Sequence, residues 1–70
     1  MNLESVIHSD RDILGGTIVF VGTRVPVRSL FDHLEAGESI EDFLEGFPSV
    51  KREQVISVLK ASRQQILQPV

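Results

Sequence analysis

The sequence predicts a mostly α-helical domain, a three-helix, helix-turn-helix-like bundle with a short N-terminal β hairpin or arm. Three observations lead there. Val27, Leu30, Phe31 and Leu34 fall at i, i+3, i+4 and i+7, and Ile40, Phe43, Leu44 and Phe47 repeat that spacing, so each set lines one face of a helix. A third run, from about Lys51 to Leu67, carries Val55, Val58, Leu59, Ser62 and Ile66 as its inner face. The longest unbroken apolar run, Ile18-Val19-Phe20-Val21, lies between Gly15-Gly16 and Gly22-Thr23. Its β-branched and aromatic residues suit a pleated strand, and the flanking glycines suit turns. One domain spans 1–70, divided into a β arm at 1–25 and a three-helix core at 26–68.

Taken in order, Ser5 to His8 is a short candidate strand and Asp10-Arg11-Asp12 a polar bend before Ile13-Leu14. Pairing with Ile18–Val21 makes a hairpin, which is marginal alone in water and must pack on the helices or on another copy. Pro26 suits the start of the first helix, and Gly37 its end. Ser39 opens the second helix: its hydroxyl accepts from a free first-turn N–H, while Glu41 and Asp42 complement the positive end of the dipole. Gly46 and Pro48 stop that helix. The compact link from Gly46 to Val50 gives the helix-turn-helix outline, and the third helix is expected to run to about Leu67.

Composition excludes more than it selects. Seventy residues without cysteine hold no disulfide, no thiolate nucleophile and no cysteine-based zinc finger. A domain of this size buries only about 60% of its unfolded surface, so stability from self-association or a partner is expected. The apolar run of four is far short of the roughly 18 residues of a membrane span. Met1-Asn2-Leu3-Glu4 carries no basic segment before an apolar core, so no signal peptide is expected and the cytoplasm is the expected compartment. No Ser-His-Asp order, P-loop or GxGxxG occurs. No catalytic residue, cofactor or metal is therefore expected, and the chain is not read as an enzyme. His8 and His33, 25 positions apart, make a poor metal pair and are expected in surface or half-buried roles.

Charge is uneven around a net of −3. Asp32 to Glu45 holds six acids (Asp32, Glu35, Glu38, Glu41, Asp42 and Glu45) and no Lys or Arg. Lys51 to Arg63 holds four bases and one acid, and Arg11 to Arg28 three bases and one acid. The uniformly basic character usual in a nucleic-acid binder is missing, yet a local basic stripe remains.

At Gly22-Thr23-Arg24-Val25-Pro26-Val27 the chain resembles the bacterial family called domain of unknown function 433. Gly15-Gly16, Ala36-Gly37-Glu38-Ser39-Ile40 and Pro48 extend the match over roughly residues 5 to 62. The resemblance implies a winged-helix or homeodomain-like domain with a β arm. It also implies an antitoxin encoded beside a small PIN-like nuclease toxin and binding its own operator. The family usually places Thr or Ser two residues before an acid at the start of the last helix. Lys51 stands there instead, ahead of Glu53, so that cap is lost at about 1 kcal/mol. Ser49 is then expected to cap one turn earlier.

The expected function is thus a small DNA-binding antitoxin that neutralises a PIN-like toxin and autoregulates its operon as a homodimer through the arm. Lys51, Arg52, Lys60 and Arg63 would meet phosphates, with Gln54 or Ser57 at base edges and Arg24 adding a guanidinium from its turn. The competing reading of these bases is a solvated face, and of Gly22-Thr23-Arg24 a capped turn with Arg24 paired to Asp32 or Glu35. Glu41, Asp42 and Glu45 would mimic nucleic acid toward the toxin, or form a solvated helix face. The alternative function is a dimerisation and partner-binding module that never touches nucleic acid, which the acidic pI of about 5.2 favours.

Overall fold

The computed structural model describes residues 3–68. Met1 and Asn2, part of the segment read for a leader, lie outside the described residues, as does Pro69. Two strands and three helices follow in order: β1 (Ile7–Ser9), β2 (Ile18–Phe20), α1 (Val27–Glu35), α2 (Ile40–Gly46) and α3 (Arg52–Leu67). The predicted class holds: three helices behind a two-stranded antiparallel hairpin.

The first strand lies later than expected. Leu3–Ser5 is a 3-10 turn, and pairing starts at Ile7. Val6 decides this: it is fully buried, and its carbonyl accepts from Val21 N at 2.8 Å. Ile7 then faces Phe20, His8 faces Val19 and Ser9 faces Ile18. The polar bend forms as an Asx turn, with Asp12 N donating to Asp10 Oδ1 at 2.8 Å. Leu14, Gly15 and Gly16 all take positive φ before β2, a run that two glycines make tolerable.

The hairpin is not a detachable arm. Its strands pair with each other within one chain, and Val6, Val19 and Phe20 are fully buried. Val6 and Phe20 join Val27, Leu30, Phe43, Val50, Val55 and Val58 in a single core. The boundary drawn at residue 25 therefore separates two parts of one hydrophobic cluster.

Each helix end has a local cause. Pro26 is the N-cap of α1, in extended geometry, and Val19 bridges to it. Gly37 turns the chain out of α1 at φ +86°. Ser39 Oγ accepts from Asp42 N at 3.0 Å, and Asp42 Oδ2 accepts from Ser39 N at 3.2 Å. This reciprocal box holds a helix of only seven residues. α3 starts at Arg52 with Lys51 as N-cap, so Ser49 lies outside the cap and the expectation placed on it fails. The inner face of α3 also ends early: Val55 and Val58 are buried, whereas Ile66 is 79% exposed. α3 runs past the small body it packs against, so its last turns have nothing to bury into.

Candidate nucleic-acid and partner surfaces

α3 presents three of its cations on one side. Arg52, Lys60 and Arg63 are exposed, and at 100° per residue they fall within an arc of about 80°. Arg52, Ser57 and Lys60 line one shallow depression with Glu53 and Ile56. Lys51 is exposed at the N-cap. It borders a cleft of about 420 Å³ with Gly22 and Glu53. Arg52, Lys60 and Arg63 thus share one face with Glu53 beside them at the first turn, and Lys51 stands apart at the N-cap.

Two residues of this candidate interface are already engaged. Arg52 Nη2 donates to Glu41 Oε1 at 2.8 Å, tying α3 to α2. The pair takes one member from the expected phosphate contacts and one from the expected acidic partner surface. The Arg52 hydrogen bond holds the Glu41 carboxyl below its usual range.

Gln54 corrects the sequence reading outright. It is buried, with Oε1 accepting from Lys51 N at 2.9 Å and Nε2 donating to Val21 O at 3.0 Å. A side chain aimed inward with both ends bonded offers nothing to a base edge. Its carbonyl replaces half of the missing cap by reaching back from the third helical position. The glutamine three residues after Lys51 was the available signal, since that spacing is the second half of a capping box.

The Gly22-Thr23-Arg24 turn is structural at its centre. Thr23 is buried, donates from Oγ1 to Phe20 O at 2.9 Å and accepts from Val25 N at 3.0 Å. Its hydroxyl is therefore closed to a phosphate. Arg24 is exposed. Neither expected pairing of Arg24, with Asp32 or with Glu35, is among the ion pairs of the described residues, and Asp32 instead lies 3.6 Å from Arg28 one helical turn away.

The acidic candidates are exposed on the outer side of α2 but differ in freedom. Glu41 holds Arg52 and Asp42 closes the Ser39 box, whereas Glu45 has no ion pair among the described residues. His33 is half-buried. Its ring meets Phe43 and Phe47 edge-on, at centroid separations of 5.5 and 5.6 Å, and Nδ1 contacts Glu38 Oε2. It joins α1 to α2 and is not paired with His8. Among the described residues no group of three His, Cys, Asp or Glu is arranged to hold a metal ion, and no helix is long and apolar enough to cross a membrane.

The feature that sequence reading missed is apolar. Leu3 and Ile18, 37% and 51% exposed, line a groove of about 430 Å³ between the hairpin, α1 and α3. Leu14, 49% exposed, borders an adjoining depression that shares Thr17 and Arg28 with the groove. Ala61 and Ser62 form part of the α3 wall, and Ile66 continues it one turn on. The signal available was Ile66, an apolar residue beyond the reach of a core this small.

Comparison with known proteins places the chain without assigning an activity. The uncharacterized protein y4eO of Sinorhizobium fredii (strain NBRC 101917 / NGR234) is 46% identical over 50 residues, covering 71% of this chain. The chain spans about a quarter of that relative's length, 23%. No solved structure matches it. The model of the family described as "Protein of unknown function (DUF433)" matches residues 7–60, and the chain belongs to that family.

Proposed function

We propose that the chain is a protein-interaction module of antitoxin-like type, working through its surface contacts with other polypeptides and not through catalysis. The observation that carries this is the apolar groove lined by Leu3 and Ile18, with Leu14 on an adjoining depression and Ile66 exposed one turn beyond the α3 wall. Contiguous exposed apolar surface on a small domain marks a contact with another macromolecule. The acidic outer side of α2, with Glu45 free, suits a basic partner such as a nuclease. The resemblance supplies a PIN-like toxin as the candidate.

Operator binding stands as a second reading, favoured by one observation: Arg52, Lys60 and Arg63 share a face of α3. Against it, Arg52 is neutralised by Glu41 and Gln54 is turned inward.

A mobility-shift titration with the chain's own upstream DNA separates the two readings. The interaction reading predicts no shift at physiological salt, and unchanged capture of the adjacent toxin by Lys60→Glu and Arg63→Glu. Operator binding predicts a shift that weakens with salt at a slope of roughly −0.9 per phosphate contacted, and that both substitutions abolish.

A further inference from the structure

We infer that the occupant of the apolar groove is a second copy of this chain, docked by an antiparallel pairing of two α3 helices about a twofold axis near Ser62. The inference rests on the interaction reading and names its partner.

The molecule carries both halves of the contact. One half is the groove, with Ile18, Val27 and Phe31 opposite Val58 and Ala61 on α3. The other is Ile66, 79% exposed on the same side of the same helix. Ile66 lies four residues beyond Ser62, and Val58 four residues before it. An antiparallel pair centred on Ser62 therefore sets Ile66 of each copy against Val58 of the other, at the groove. A twofold contact must be self-complementary in this way.

The crossing point suits close approach. Ala61 and Ser62 are small, and Ser62 Oγ already donates to Val58 O at 2.9 Å, so burying it strands no polar group. Charge permits the pairing. The strip Val58, Ala61, Ser62, Gln65, Ile66 is uncharged, Lys60 and Arg63 fall on the other side of α3 by helical period, and the one charged residue lining the groove, Arg28, is exposed and lies 3.6 Å from Asp32. A standard interface takes about 800 Å² from each partner, a minor share of the 5099 Å² surface of this chain.

Sedimentation equilibrium on the free chain, from micromolar to hundreds of micromolar, tests the assignment. The expected result is a mass twice 7.8 kDa that Ile66→Asp returns to the monomer value with the far-ultraviolet spectrum unchanged. Ile66 is outside the core, so this variant folds. Because the chain lacks cysteine, a short bis-maleimide gives a second readout. A mixture of Ile66→Cys and Ile18→Cys chains is expected to cross-link between copies, and Ile18→Cys alone is not. A chain monomeric throughout the range overturns the second copy as occupant while the interaction reading stands with another partner. A dimer that Ile66→Asp leaves intact, or a mixture that gives no cross-link, overturns the face.

Discussion

Gln54 joins three separate stretches of chain: its own helix, the Lys51 N–H before it and the Val21 carbonyl 33 residues away. Replacing it with leucine keeps the volume but leaves the part-buried Lys51 N–H and Val21 C=O without this partner, at about 1–3 kcal/mol. Urea unfolding of Gln54→Leu is expected to show that loss, and a value near zero would return the side chain to the surface. The Arg52–Glu41 pair behaves differently because both groups are largely exposed. Folding lowers the Glu41 pKa from its usual 4.5. Above 4.5 the carboxylate is ionised in folded and unfolded chains, and the contribution is complete. As pH falls through the lowered folded value the unfolded chain takes up the proton first, and the contribution is lost. Unfolding curves of the wild type and Glu41→Gln are therefore expected to differ slightly near pH 7 and to converge as the pH falls below 4.5, with high salt shrinking the difference. At this scale the sequence was half legible. Thr23 as a turn cap and Ser39 as a helix cap follow from residue type and position. The direction of Gln54 depends on a carbonyl distant in sequence, which no local pattern contains.

At the scale of elements, α2 is the most dependent on a single device. Seven residues are too few to hold a helix by propensity alone, and α2 has the Ser39–Asp42 box at one end and Phe43 buried at its centre. Ser39→Ala is expected to cost about 1 kcal/mol, and thermal unfolding checks it. A midpoint unchanged from wild type would show that packing alone fixes α2. The helices were legible because amphipathic spacing and terminal proline and glycine agree at α1 and α2. β1 was misplaced by two residues because Ser5, Val6 and Ile7 read equally well as a strand. Burial of Val6 in the core shared with the helices settles the register, and that packing is long-range. The inner face of α3 was overextended for a related reason: periodicity continues to Ile66, but the body of the protein does not.

The whole molecule rests on a small core shared by the hairpin and the helices. Phe43 touches Phe20 at 6.2 Å and Phe47 at 5.0 Å between ring centroids, so it connects both halves. Removing it by Phe43→Ala is expected to cost about 3–5 kcal/mol, comparable with everything a core of this size supplies. The variant is expected to be unfolded at 25 °C by circular dichroism, and a cooperative transition close to the wild type would mean stability comes from elsewhere. Such thin stability makes a surface contact consequential, since binding in the folded state adds directly to it. The cationic side of α3, legible from sequence, loses weight once Arg52 is paired. The apolar groove, illegible there because three elements build it, gains that weight.

The account is tested most directly by weighing the chain in solution with its upstream DNA present. Sedimentation of an equimolar mixture is predicted to show protein at twice 7.8 kDa migrating apart from the DNA. Protein travelling with the DNA, and released by Lys60→Glu with Arg63→Glu, would contradict it.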